Sequence, residues 1–292
     1  MLHYVRAAEQ DEAKIRQFLG QFPVSPWSQN LSSYLIAPLG GVFLATDDDS
    51  TILGCTILAA EHSRERYLLG TRIADPTTNP DIAHGLCQHV LEFAGQTGAR
   101  TMKALIEDGD EDGARVLRDA FEFTQATSWA VGALGDLPLP QAMNPEAGPA
   151  WAVDRERLFA FLADHAKQLW APGDPWLPRI VTEEDLAKGF EVGGVVVAPQ
   201  DTERPISALA LYRIKNRERL TLGYLNASDP ASVDALLSYL LVEAHAWGVT
   251  ELRYGLSSDQ AKTLLAWFDR PGEPEWSGWL LEKVLHPAAV PS

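Results

Sequence analysis

The chain has 292 residues, 46% hydrophobic and 22% charged, the balance of a soluble globular protein with room for two domains of ordinary size. Its formal charge is −16: residues 1–150 carry 10 Lys+Arg against 20 Asp+Glu and the remainder 14 against 20, so both halves repel phosphate backbones and no nucleic-acid partner is expected. No apolar run approaches the roughly 18 residues of a membrane helix, and the N-terminus turns polar at once, so no membrane partner is expected and the cytoplasm is the expected location. Cys55 and Cys87 sit inside apolar patterns and read as buried small hydrophobes, not as a disulfide or metal pair. If the acidic residues line a cleft they would steer a cationic amine inward; otherwise they serve solubility.

In chain order, His3–Ala7 alternates as a short strand, and Glu9–Gly20 is predicted helical, with acids in its first turn and Ile15, Phe18 and Leu19 on one face. Gln21–Gln29 is a loop with two prolines, and Leu31–Leu39 a short second helix. Val42–Thr46, Ile52–Ala60 and Tyr67–Ile73 read as three strands joined by tight turns. A polar loop, Ala74–Asp81, leads into a helix over Ile82–Thr97, whose positions 82, 86, 90, 91 and 93 make an apolar face. Strand Thr101–Ile106, helix Glu111–Ala120 and strand Thr124–Val131 follow. From Gly132 to Ala150 the chain holds four prolines and marks a linker.

The second half repeats that order. Short strand Trp151–Val153 precedes helix Arg155–Leu169, the proline-rich loop Trp170–Pro178 and a short helix at Glu183–Lys188. Val192–Ala198, Ser207–Ile214 and Leu220–Leu225 are strands, Ser232–Trp247 a helix, Glu251–Leu256 a strand, Asp259–Trp267 a helix and Trp276–Val284 a last strand. Letters repeat as well: Arg64–Gly70 (RERYLLG) matches Arg217–Gly223 (RERLTLG), Asn79-Pro80 matches Asp229-Pro230, and Gly98 matches Gly248. Three matches in one order favour duplication. The expected organisation is a domain over 1–135, a linker over 136–150, a second domain over 151–286 and a tail over 287–292.

Each copy reads strand, helix, helix, three antiparallel strands, loop, helix, strand, helix, strand. That order resembles the GNAT superfamily of acyl-CoA-dependent N-acyltransferases, and the whole chain resembles its tandem members. The resemblance implies an α/β (α+β) fold: two GNAT-like domains, each a mixed, mainly antiparallel twisted sheet flanked by helices. It further implies acetyl-CoA or another acyl-CoA as cosubstrate, held where the fourth strand and its loop lead into a helix with small residues at its start, because backbone N–H groups there cradle a pyrophosphate. On this sequence that places the cofactor at Ile73, Asp75, Pro80, Asp81, Ile82, Ala83, His84 and Gly85, with Ala83 and Gly85 at the two small positions of the family's Arg/Gln-x-x-Gly-x-Gly/Ala pattern. Pro80 stands where the family has a basic residue. The second copy, Pro230–Ala235, fits the pattern less well. Asp81 and Asp229 could instead cap their helices and satisfy the same N–H groups.

The family's chemistry is attack of an amine on a thioester, with a base to deprotonate the ammonium and often a Tyr to protonate the thiolate. Arg118 stands where that Tyr would be, and Glu107 and Asp108, at a strand end, are the candidate bases. Glu61 and His62, and in the second copy Tyr224, Tyr254, Ser257 and Ser258, occupy comparable strand ends; Asp259 reads as a helix cap. Seven of the nine tryptophans lie in the second half, as packing or as a pocket wall. The expected function is N-acetyl transfer to a small-molecule amine with the first copy as the cofactor site; the alternative is a non-catalytic relative that binds a ligand or partner. A homodimer is compatible with either.

Overall fold

A computed structural model describes residues 1–23, 27–62, 64–74, 81–139, 144–151, 155–165, 170–172, 178–181, 186, 194–201, 203–215, 218–270 and 274–285. The chain opens with β1 (His3–Arg6), a 3-10 turn (Glu9–Asp11), α1 (Glu12–Leu19), a second 3-10 turn (Ser28–Asn30) and α2 (Leu31–Leu35). Then come β2 (Gly41–Thr46), β3 (Ile52–His62), β4 (Glu65–Ile73), α3 (Asp81–Gln96), β5 (Thr101–Glu107), and α4 (Glu111–Arg115) continuing into a π-helical turn (Val116–Ala120). Next are β6 (Thr124–Leu134), β7 (Gly148–Pro149), α5 (Arg155–His165), β8 (Trp170–Pro172), β9 (Pro178–Ile180), β10 (Val195–Ala198), β11 (Ala208–Lys215) and β12 (Arg219–Ala227). The chain closes with α6 (Pro230–Ala246), β13 (Glu251–Leu256), α7 (Ser258–Trp267) and β14 (Trp276–Val284).

Two compact units result: Met1–Ser128 together with the stretch from Gly278 onward, and Trp129–Ser277. In the first unit the strands run β1-β2-β3-β4-β5-β14, antiparallel throughout except for the parallel pair β4/β5. α3 packs on one face of that sheet: Ile82, Leu86, Val90 and Ala94 meet Phe43, Leu58, Leu68, Met102 and Ala104, all buried. These four helix residues fall four apart, which is why this segment is helical and why one side of it is buried. α1 and α2 cover the opposite face through Ile15, Phe18, Leu31 and Leu35. Gly54 in β3 admits α3, since a Cβ there would meet Ile82 Cγ2 at 2.7 Å and Leu86 Cδ1 at 3.0 Å.

The second unit repeats the plan as β7-β10-β11-β12-β13-β6, with β12/β13 the parallel pair. α6 buries Leu236, Leu237 and Leu240 against Leu220, Leu222 and Leu252, while Leu158 and Phe161 of α5 pack with Val195, Val197 and Leu209 on the other face. The closing strand of each sequence half thus lies in the sheet of the other unit: β14 pairs with β5, and residues 130–134 of β6 pair with β13.

Several expectations need correction. The proline-rich segment from Trp170 is not all loop: β8 and β9 pair antiparallel with Trp170 opposite Ile180, because short extended segments flanked by proline can form an edge ladder where few donors are needed. The predicted helix Glu111–Ala120 widens to π geometry over its second half. Ser257, not Asp259, caps α7, its hydroxyl accepting the Gln260 N–H at 3.4 Å. The expected strand at Trp151–Val153 and helix at Glu183–Lys188 lie largely outside the described residues. The Arg-Glu-Arg match is also one residue out of strand register: Glu65 begins pairing with β5 as Arg219 does with β13, so Leu68, not Leu69, is the counterpart of Leu222. Duplication rests on element order and on Gly98 and Gly248, both left-handed just beyond their helices.

Candidate functional site

The parallel pair of the first unit holds the feature that organises the site. β4 pairs with β5 from Glu65↔Thr101 to Leu69↔Leu105 and no further, although β4 runs on to Ile73 and β5 to Glu107. The strands part where β4 is bulged. Against β3, Leu69 faces Ile57 and Arg72 faces Cys55, so Gly70 and Thr71 together oppose Thr56. Gly70 has φ of +53°, a conformation side-chain-bearing residues reach only at a cost.

The extra residue reverses the alternation. Leu68 and Ile73 both pack on the α3 side, while Leu69 and Arg72 both face the α1–α2 side. Without the bulge Arg72 would point into the apolar core. Instead it borders a pocket of about 240 Å³ between β3, β4 and the α1–α2 region, walled by Leu19, Phe22, Trp27, Leu31, Ile57 and Leu69. Its Nη2 donates to Glu107 Oε2 at 2.9 Å across the gap between the two strands, with the Arg72 side chain 16% exposed. Deeper on the same face, Lys103 lies fully buried with its ammonium 2.8 Å from Glu65 Oε2 and 3.3 Å from the Tyr67 hydroxyl.

Of the cofactor residues read from sequence, Asp75 and Pro80 lie outside the described residues. Ile73 and Ile82 have apolar roles in the α3 core. Asp81 and Ala83 are in the first turn of α3, Asp81 exposed and Ala83 half-buried. The His84 ring stacks on Phe121 at 4.7 Å between centroids. Gly85 is small for a local reason: a Cβ there would come within 2.1 Å of the Tyr4 ring and hydroxyl, so β1 lies over this turn of the helix. The Tyr4 hydroxyl donates to the Asp81 carbonyl at 3.5 Å; burial, and after it the Asp81 carboxylate, push the phenol above its ordinary value.

The candidate catalytic residues separate. Glu107 is on the pocket face at the strand gap, and its carbonyl accepts the Asp110 N–H in the turn that holds exposed Asp108. Arg118 is exposed in the π-helical turn, with Nε on the Ala114 carbonyl at 3.2 Å. It borders a groove with Asp119, Gln125, Trp279 and Leu281, and Leu281 belongs to the α3-side core. Glu107 and Arg118 therefore serve opposite faces. The pocket itself, with Arg72, was not read from sequence; the signal available was Gly70 two residues before Arg72, the mark of a strand irregularity.

At the matching helix of the second unit the start is filled. The Asp229 carboxylate accepts from the Ser232 backbone N–H at 2.9 Å and its hydroxyl at 2.7 Å, and Ser232 Oγ lies 2.9 Å from Ser207 Oγ. The Ser232 hydroxyl and then its N–H hold the Asp229 carboxyl below the ordinary carboxylate range. That helix end already has its anion. Among the described residues no group of three or more metal-ligating side chains converges, and no helix is long and apolar enough to cross a membrane.

The fold is shared with solved structures. A GCN5-related N-acetyltransferase from Sphaerobacter thermophilus aligns over 99% of this chain and 97% of its own with a TM-score of 0.56 at 15% identity. A putative acetyltransferase from Thermoplasma acidophilum aligns over 97% of this chain and 100% of its own with a TM-score of 0.52 at 12% identity. A GCN5-related glucosamine N-acetyltransferase region of a fungal multi-domain beta-N-acetylglucosaminidase aligns over 97% of this chain and 38% of its own, at a TM-score of 0.53 and 13% identity. No family model matches the chain, and no curated protein matches it. The chain has the tandem GNAT fold, two mixed, mainly antiparallel sheets flanked by helices.

Proposed function

We propose that the protein is an N-acyltransferase that moves an acyl group from acyl-CoA, acetyl-CoA in the simplest case, to a small amine in the cytoplasm, and that the first of two copies (1–135 and 151–286, joined by 136–150) carries the site. The observation that supports this most is the strand gap beyond Leu69↔Leu105, which leaves the backbone of residues 70–73 without a partner on β5, immediately beside a pocket. An extended thioester arm fits such an unpaired edge as an added strand does. The backbone N–H groups of the first turn of α3, from Asp81 to His84, would hold the pyrophosphate. The second unit does not fit the same group, because Asp229 and Ser232 occupy its helix start.

Acyl-CoA supplies the electrophilic thioester carbonyl when bound. The chain's own residues bind and orient the amine in the pocket, with Phe22, Trp27 and Leu31 supplying apolar wall. Glu107 keeps Oε2 on Arg72; among the described residues its Oε1 has no hydrogen-bond partner and can take the ammonium proton through one water. Arg72 is the residue that orients it. The exposed Arg118 contributes no proton, being charged at every accessible pH.

A second reading, a non-catalytic ligand-binding protein, is favoured by Tyr4 lying over Gly85, which narrows the cradle at the helix start. Release of CoA thiol from acetyl-CoA over a panel of small amines separates the two. Turnover that falls at least a hundredfold in Glu107→Gln supports transfer; acetyl-CoA binding with no turnover on any amine supports the second reading.

A further inference from the structure

The pocket of the first unit reverses the charge of the protein around it. The chain carries −16, yet among the described residues the charged ones bordering this pocket are Arg16 and Arg72, with no Asp or Glu. The acids that pair with these arginines stand behind them: Glu12 Oε1 takes Arg16 Nε at 2.8 Å, and Glu107 Oε2 takes Arg72 Nη2 at 2.9 Å. Neither Glu12 nor Glu107 borders the pocket. Arg16 also donates Nη2 to Ser32 Oγ at 3.3 Å, whereas among the described residues Arg72 is held through Nη2 alone. Among the described residues, Nε and Nη1 of Arg72 have no hydrogen-bond partner although the side chain is only 16% exposed. A poorly hydrated guanidinium with two unused donors is a carboxylate site. The backbone supports the same conclusion, because the left-handed Gly70 and its bulge are what turn Arg72 to this face.

Apart from Ser28 the rest of the wall carries no polar side chain, and about 240 Å³ is below the roughly 300–1,000 Å³ of drug-sized ligand sites. We propose that the pocket takes an apolar α-amino acid, its carboxylate on Arg72 and its side chain against Leu19, Phe22 and Trp27. As a zwitterion it carries no net charge, so the negative field of the whole protein does not oppose its entry. The role of this amino acid as acyl acceptor rests on the proposed acyl transfer; its binding does not.

The test is a titration of the full chain with L-leucine and L-phenylalanine and with their decarboxylated counterparts, isoamylamine and phenethylamine, followed by thermal unfolding and calorimetry with and without CoA. The amino acids are expected to bind at least tenfold tighter than the amines, with the preference abolished in Arg72→Gln. Leu19→Trp, which fills the cavity and leaves Arg72 in place, is expected to abolish binding of both classes. Equal or tighter binding of the decarboxylated amines, or no binding of either class, overturns the proposal. Acetyl-CoA turnover, measured in parallel, keeps the two readings apart. Arg72-dependent binding of amino acids without turnover leaves the pocket assignment standing and removes the transferase reading. Turnover on the amines but not on the amino acids does the reverse.

Discussion

Replacing Gly70 by alanine tests the bulge that aims Arg72. Its φ of +53° lies in the left-handed region, where a Cβ crowds the following carbonyl at a cost of about 1–2 kcal/mol. Loss of unfolded-chain freedom on replacing glycine offsets some of this, by about 0.4–1 kcal/mol. The net expectation is a destabilisation of about 1 kcal/mol, a fall in melting temperature of a few degrees. Gly95 provides the internal contrast: it sits in α3 with nothing within 4 Å of an added Cβ, so Gly95→Ala should stabilise by about 0.5–1 kcal/mol through helix propensity. Urea unfolding followed by tryptophan fluorescence reads both. If Gly70→Ala is as stable as the parent, or if both variants move the midpoint the same way, the bulge is not held by a strained glycine and does not fix the aim of Arg72.

Burial pushes both thiols, Cys55 and Cys87, up to about 12, the latter despite the nearby Lys283 ammonium, so a disulfide-exchange reagent at pH 8 should modify neither until the chain is unfolded. The Asp229 carboxyl has a depressed folded-state value, so the stability it gives is present above the unfolded carboxylate range, near pH 4, and is lost as pH falls through its folded value. Asp229→Asn should therefore be less stable than the parent at pH 7, with the gap narrowing in thermal scans as pH falls below about 4. Lys103→Met leaves Glu65 without its ammonium beneath the sheet; with Glu65 29% exposed, the cost should be up to about 3 kcal/mol in urea, and adding Glu65→Leu should recover most of it.

The scaffold was largely legible because its signals are periodic and local. The apolar spacing of Ile82, Leu86 and Val90, and Gly98 behind them, give α3 within a residue at each end. The crossover in strand pairing was less so: that β14 completes the first sheet and residues 130–134 the second depends on contacts between residues far apart in sequence, for which no local pattern exists. The site divides in the same way. Glu107 was found because it ends a strand, but its partner Arg72 was not, since simple alternation puts Arg72 on the face opposite Leu69 and only the bulge returns it. Gly85 read as a phosphate-approach residue because a glycine at a helix start has that use; Tyr4, eighty-one positions earlier, supplies a different reason that only the fold brings into contact.

The most direct measurement is the stoichiometry of acetyl-CoA binding by titration calorimetry. One site per chain is expected, lost in Ala83→Glu at the first turn of α3 and kept in Ala231→Glu at the capped start of α6. Two sites, no site, or a single site that survives Ala83→Glu and disappears with Ala231→Glu would contradict the assignment of the cofactor to the first unit.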